Sequence, residues 1–282
     1  MDILFNSKFL NHNIGSMAEG PYRIEAFPSK VKEADEDGEP YLSLVHTDAH
    51  ISLVKDACRN SRVLAEVQLE PESYEAACSA VGLSIRAANQ GDFAVIRPPG
   101  HHAKKDRADG FCLFNNIALA AQKLVSEGKK VFILDIDGHH GDGTQEIFYD
   151  SDRVFFCSVH QQFAYPWSGL ADETGAGKGK GYTLNFPLPA NSGDSKLLEV
   201  VDLAIARARE FKPDVVGVSA GFDGYKEDRL LDLRYTLDGY YQVGKKLSES
   251  FDHIFAVLEG GYHLDIPACT ENFIKGVNRE AL

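Results

Sequence analysis

The sequence predicts one α/β domain with a mostly parallel central sheet and helices on both faces. Short apolar runs rich in β-branched and aromatic residues recur along the chain, each ending near Gly, Pro, Asp or His. Amphipathic stretches with a 3.6-residue period lie between them, and strand then helix, repeated, packs as a parallel sheet covered on both sides. A chain of 282 residues with 44% hydrophobic and 25% charged content has apolar area for one large core. No internal repeat or proline-rich linker divides it, so residues 1–282 read as a single domain.

Strands are expected at 93–97, 131–136, 154–159, 183–188, 215–219 and 254–258. In 115–127, Ile117, Ala120, Ala121 and Leu124 share one helical face. In 195–211, Leu198, Val201, Ile205 and Ala208 do the same opposite Lys196, Glu199, Asp202 and Arg209. Segment 28–45, with Glu33, Asp35, Glu36, Asp37 and Glu39, reads as a surface loop, and Asp172 to Gly181 as a loop inside the fold.

The formal net charge is -13 and Lys and Arg form no long cluster, which argues against electrostatic capture of nucleic acid. The N-terminus lacks a basic leader followed by an apolar run, and no segment approaches the roughly 18 apolar residues of a membrane span, so a cytoplasmic location is expected. Cys58, Cys78, Cys112, Cys157 and Cys269 are an odd set without a Cys-x-x-Cys pair, which fits reduced core thiols.

Four of the ten histidines sit in two doublets, His101-His102 and His139-His140. Adjacent imidazoles are costly in an ordinary core because each buried ring needs a partner. The first doublet follows strand 93–97, Asp137-Gly138-His139-His140 follows 131–136, Gly221-Phe222-Asp223 follows 215–219, and Gly260-Gly261-Tyr262 follows 254–258. All four motifs therefore fall at carboxyl ends of strands, where open α/β sheets place their sites. Asp137 and His139, two apart on an extended segment, point to one side. With Asp223 they form an Asp-His-Asp set that leaves room for water, as a catalytic zinc requires. Singly, Asp137 fits a turn and His139 a hydrogen-bonded core histidine; the four motifs together favour a metal-dependent hydrolase.

Two other stretches imitate sites. Thr47-Asp48-Ala49-His50 has an Asp-Ala-His piece but no Asp two residues later, and reads as a loop or helix start. The glycine-rich stretch Gly175 to Gly181 leads into a strand rather than a helix and lacks a Gly-Lys-Ser/Thr ending, which argues against a phosphate loop.

Taken in order, Arg97-Pro98-Pro99-Gly100-His101-His102-Ala103, Gly110-Phe111-Cys112, Asp135-x-Asp137-x-His139-His140-Gly141-Asp142-Gly143-Thr144-Gln145, Ser219-Ala220-Gly221-Phe222-Asp223 and Glu259-Gly260-Gly261-Tyr262 resemble the signature of the zinc-dependent histone deacetylase superfamily. That superfamily includes deacetylase-like amidohydrolases, acetylpolyamine amidohydrolases and proteins of acetoin utilisation. The resemblance runs from about residue 8 to 265. It implies an arginase/deacetylase-like fold with Asp137, His139 and Asp223 on zinc. It further implies that His101 and His102 are an active-site pair oriented by Asp135 and Asp142, and that Tyr262 donates to the substrate carbonyl. A potassium ion near the zinc loop would take Asp135, the hydroxyl of Ser158 and carbonyls around Asp137 and His139. Gly110, Phe111 and Tyr165 would wall a narrow channel for an acylated amine.

Amide hydrolysis needs an activated water, a stabilised oxyanion and a proton for the leaving amine. His102, beside Asp142, is the expected general base and then acid, with His101 mainly electrostatic. Tyr262 is the expected oxyanion stabiliser. A non-catalytic acyl-binding protein on this scaffold would be expected to have lost one of these groups, and none is lost.

Near the N-terminus, Met17-Ala18-Glu19 stands where relatives often carry His-Pro-Glu, with Pro21 and Arg23 following. Leu230, in Asp228-Arg229-Leu230, matches the apolar rim residue of lysine deacetylases, where a polyamine-selective relative would place Glu. The expected substrate is therefore an acetyl-lysine protein or peptide, with acetylpolyamine as the alternative; in that case Glu19 and the acids of 28–45 are the expected cation site.

Overall fold

A computed structural model describes residues 1–13, 15–16, 18–27, 31 and 33–281. Met17 and part of segment 28–45 lie outside the described residues. In chain order the elements are β1 (Ile3–Leu4), α1 (Lys8–Asn11), α2 (Asp48–Arg59), β2 (Val63–Leu64), β3 (Val67–Gln68), α3 (Pro71–Gln90), β4 (Phe93–Ala94) and α4 (Asn116–Ser126). There follow β5 (Val131–Asp135), α5 (Asp142–Phe148), β6 (Val154–Gln161), β7 (Thr183–Leu188), α6 (Asp194–Phe211), β8 (Val215–Ala220), α7 (Leu237–Ser250), β9 (Ile254–Leu258) and α8 (Ile266–Asn278). Short 3-10 turns cover Pro21–Arg23, Glu39–Leu44 and Gly177–Gly179.

Seven strands form one parallel sheet in the order β1-β4-β9-β8-β5-β6-β7, and β2 and β3 make a separate hairpin. Strands β5, β8 and β9 are buried along their whole length, which is why they read as continuous apolar runs rather than as alternation. Right-handed crossovers place α3, α4 and α5 on one face, because those connections move toward β7, and α6 and α7 on the other, because theirs move back. The direction of winding thus reverses between β5 and β8. The crevice beyond the carboxyl ends of these two strands is the topological switch point, the favoured ligand position in such sheets.

The structure modifies several expectations. The strand expected at 93–97 keeps ladder pairing only at Phe93–Ala94, between β1 and β9; Val95 still donates to Leu4 O (2.9 Å), but the chain then turns through a cis Arg97–Pro98 bond. The apolar face of α6 is turned by one residue: Leu197 and Val200 join Val201, Ile205 and Ala208 in the core, while Leu198 is only partly buried. Within 28–45 the Glu39–Leu44 turn buries Leu42. Thr47 caps α2, its hydroxyl accepting from the N–H of His50, and His50 is buried, so this stretch is a helix start. All five cysteines are free and buried. Among the described residues, no helix is long and apolar enough to cross a membrane.

Candidate active site

The chain leaves β5 at Asp135 and β8 at Ala220, and these adjacent exits bring Asp137, His139 and Asp223 together. One donor atom from each lies within 4.8 Å of the others. His139 Nδ1 stands 2.6 Å from Asp223 Oδ2 and 3.3 Å from Asp137 Oδ1. The outer oxygens are held by backbone: Gly260 N–H donates to Asp137 Oδ2 (2.7 Å) and Gly138 N–H to Asp223 Oδ1 (2.5 Å). Two glycines make room for this approach, since a Cβ on Gly221 would lie 1.9 Å, and one on Gly260 2.6 Å, from Asp137 Oδ2.

The electrostatics suit a cation. Burial opposes charge on His139, yet the carboxylates of Asp223 and Asp137 outweigh it and raise its pKa to about 10. Burial and the nearby Asp137 carboxylate push Asp223 up, while His101 and His139 hold Asp137 low against its burial. Two carboxylates thus converge on an imidazole nitrogen in surroundings that favour positive charge, and two oxygens plus one nitrogen match a three-ligand catalytic zinc.

His101 and His102 pack beside this cluster with ring centroids 4.0 Å apart and their planes tilted by 45°. His101 Nδ1 is 3.1 Å from Asp135 Oδ2, and its Nε2 is 3.8 Å from Asp137 Oδ1. His102 Nδ1 is 2.8 Å from Asp142 Oδ1, whose other oxygen meets Lys104 Nζ at 2.7 Å. Burial disfavours both charged rings, but Asp137 and Asp135 overcome it at His101 and hold its pKa well above the usual value. At His102, burial and the charge of His101 together lower the pKa to about 4, against Asp142. The surroundings thus favour the charged form of His101 and the neutral form of His102. Asp142, held low by His102 and Lys104 against its burial, can only accept, so His102 carries its proton on Nδ1 and leaves Nε2 free.

Tyr262 follows the left-handed Gly261 (φ +114°), and its N–H donates to Asp228 Oδ2 (2.7 Å). The Arg23 guanidinium lies 5.2 Å from the centre of the Tyr262 ring, and Phe111 packs edge-on against it at 6.1 Å. Tyr165 stands edge-on to His102 (5.2 Å) and donates its hydroxyl to Asp109 Oδ1 (2.7 Å), while a Cβ on Gly110 would lie 3.1 Å from that hydroxyl. Gly110, Phe111 and Tyr165 thus flank the doublet and Tyr262. Leu230 lies farther out, half exposed, on a groove of about 890 Å³ shared with Tyr262, Lys226, Glu227, Arg229 and Asp265.

Asp135 and Ser158 are register partners on β5 and β6. His160 Nε2 faces the Gly169 carbonyl (3.0 Å), and burial keeps this ring neutral with a pKa of about 3. Its Nδ1 must then accept, at 2.9 Å, the hydroxyl proton of Ser158, whose oxygen lone pairs remain available.

Glu19 corrects one expectation. It is fully buried, with Oε1 2.5 Å from Arg97 Nε and 2.9 Å from Arg23 Nη1, so it is no surface cation site. Arg23 continues to the carbonyls of Gly261 and Glu259 (2.5 Å each). Nor do the acids of 28–45 reach the groove: Asp35 pairs with Lys8, Glu36 with Arg86 and Glu39 with Lys55. Glu259, noted in the sequence only as part of a motif, accepts from the N–H groups of Gly100 (2.7 Å) and His101 (3.1 Å) and so locks the first doublet to β9. Asp228 was equally without a sequence signal for its hold on Tyr262.

A parallel sheet with an acid-histidine-acid cluster and two carboxylate-backed imidazoles at its switch point defines the class, an α/β protein equipped for a metal ion beside acid–base groups. A family model described as the histone deacetylase domain matches residues 15–277. A probable deacetylase of Archaeoglobus fulgidus is 35% identical over 294 residues, covering 93% of this chain and 81% of that protein. Histone deacetylase 5 of Arabidopsis thaliana is 41% identical over 80% of this chain, which spans only 38% of its length. Among solved structures, the HDA15 HD domain superposes with a TM-score of 0.92 at 32% identity, covering 99% of this chain and 91% of that one. An acetylpolyamine aminohydrolase from Burkholderia pseudomallei superposes with a TM-score of 0.87 at 29% identity, covering 98% of each chain. The chain belongs to the histone deacetylase family.

Proposed function

We propose that the protein is a zinc-dependent amidohydrolase that removes acetyl or a related acyl group from a lysine-like amine. The observation that carries this reading is the convergence of Asp137, His139 and Asp223 beside two histidines that each have their own carboxylate. When bound by these three ligands, zinc supplies Lewis acidity, polarising an amide carbonyl and making water acidic enough to act as a nucleophile near neutral pH. His102, its ring oriented by Asp142 at Nδ1, would accept a proton from the attacking water at Nε2 and later pass it to the leaving amine. His101, fixed by Asp135 and biased toward its charged form, would act electrostatically beside the developing oxyanion. The Tyr262 hydroxyl donates to that oxyanion, its loop held by Asp228 and Arg23. Asp135 and Ser158, register partners on β5 and β6, are the residues that would hold a potassium ion in this proposal. A cytoplasmic setting suits five unpaired thiols.

A lysine-like substrate is favoured over a polyamine because the groove wall is charge-balanced: Lys226 and Arg229 offset Glu227 and Asp265, and Leu230 at the rim offers no counter-charge. The test is turnover of the zinc-loaded protein on acetyl-lysine peptides, acetylputrescine, acetylspermidine and longer acyl-lysines, with a hydroxamate expected to inhibit. His139→Ala is expected to lose zinc and activity together, and full turnover by the zinc-free variant would remove the metal from the mechanism. Leu230→Glu is expected to shift the kcat/KM ratio toward polyamines about tenfold. A wild-type preference for acetylpolyamines would overturn the lysine reading.

A further inference from the structure

The loop between β6 and β7 displays two aromatic side chains to solvent: Phe163 is 84% and Trp167 75% exposed. Each also has a left-handed backbone, with φ of 62° and 59°. This conformation disfavours a side-chain-bearing residue and suits glycine. Folding therefore spends backbone free energy to hold an apolar ring in water, at Trp167 next to the site: its indole packs edge-on against Tyr165 at 5.4 Å, and Tyr165 in turn lies 5.2 Å from His102.

The loop is fixed at several points rather than trailing free. Trp167 N–H donates to Ala164 O (2.8 Å), and the Ser168 hydroxyl is 2.8 Å from His140 Nδ1. The Gly169 carbonyl accepts from His160, and Glu173 accepts from Gln145 (2.6 Å), which also meets His140 Nε2 at 3.0 Å. His140, the member of the second doublet without a place among the metal ligands, thus anchors the strip that carries the indole. A rigid aromatic surface presented in this way binds at low cost in conformational entropy.

Resting on the deacylase reading above, we infer that Trp167 is a substrate-specificity residue: a platform for the polypeptide flanking an acyl-lysine, so that the preferred substrate is an acylated lysine within a peptide or protein rather than a free small amine. Continuity with Tyr165 determines the occupant. An acyl-lysine side chain that fills the channel leaves its own main chain at the mouth, against the indole, whereas a free acylated amine of channel length leaves nothing there.

The experiment compares kcat/KM on an acetyl-lysine peptide with kcat/KM on a single Nα-capped acetyl-lysine, for the zinc-loaded wild type, Trp167→Gly and Trp167→Tyr. Glycine removes the ring while suiting the left-handed backbone, so the fold is retained; tyrosine keeps a flat aromatic face. Trp167→Gly is expected to lose about tenfold on the peptide, mainly through KM, with the capped residue unchanged and Trp167→Tyr recovering most of the loss. Equal effects on both substrates, or none on either, would overturn the platform. So would a wild-type dimer in sedimentation that Trp167→Gly dissociates, because the ring would then be covered by a second copy. A wild type inactive on the capped residue as well as the peptide would instead overturn the deacylase reading, and the platform with it.

Discussion

Replacing Gly221 by alanine places one methyl group where it touches the proposed metal site and little else. The added Cβ would stand 1.9 Å from Asp137 Oδ2 and 2.4 Å from its Cγ, whereas such contacts in folded proteins essentially never fall below 3.0 Å. The carboxylate must therefore recede by about 1.1 Å, on the scale of misplacement that costs roughly a hundredfold in activity. Its retreat also disturbs the bond that Oδ2 accepts from Gly260 N–H at 2.7 Å. Zinc affinity should fall by about 10- to 100-fold, or roughly 1.4–2.8 kcal/mol, as read by competition with a chromophoric chelator. The control is Gly217→Ala on β8, where the new Cβ meets the Phe255 ring at 2.8 Å and no ligand. That variant should lower the thermal midpoint while leaving zinc affinity and kcat near wild type. Wild-type zinc affinity in Gly221→Ala, or an equal loss in Gly217→Ala, would refute the argument that Asp137 is a ligand held by contact with its glycines.

Tyr262→Phe is expected to lower kcat by about two to three orders of magnitude while leaving zinc content and thermal midpoint unchanged; an unaltered kcat would take the phenol out of the reaction. Glu19→Gln leaves Arg97 and Arg23 buried without their shared carboxylate and should destabilise the fold by about 3–5 kcal/mol in denaturant titration. Burial opposes ionisation of Glu19, but the two arginines win and lower its pKa from 4.5 to about 2. Its contribution is therefore complete above pH 4.5 and is lost as pH falls through about 2, a limb of the stability profile that Glu19→Gln should lack. A variant as stable as wild type at pH 7 would contradict the buried ion pair.

Legibility in the sequence followed element length and completeness of burial. Strands β5, β8 and β9 were readable to within about a residue because their buried apolar runs end sharply at the turns that carry the motifs, and β7 because it is bounded by Gly181 and Pro189. Strands β1, β2 and β3 were not, since two residues carry no period. Helix α3 is buried nearly all round, with Ala, Ser and Gly on most of its faces, so it has little amphipathic pattern to read despite Pro71 and the Glu70–Ser73 capping box at its start. At the site, Asp137, His139, Asp223 and the first doublet were visible because each motif is local. The support was hidden because it spans the chain: Arg97 meets Glu19 from 78 residues away, and Glu259 meets Gly100 from 159. Glu19 read as an alternative cation site because, although Arg23 stands only four residues on, its other partner Arg97 lies 78 residues away.

The Arg23 bonds to Glu259 and Gly261 span 236 and 238 residues. A chain made from its N-terminus, at about 5–20 residues per second, therefore holds Arg23 for on the order of ten seconds or more before its acceptors exist. Glu19 and Arg97 can pair early, whereas β9, which lies between β4 and β8 and leads into the Gly260–Tyr262 turn, is the last strand in chain order. The three proposed zinc ligands all precede that strand. A nascent chain thus holds the three proposed metal ligands before it holds Tyr262, whose turn then meets an arginine made long before it.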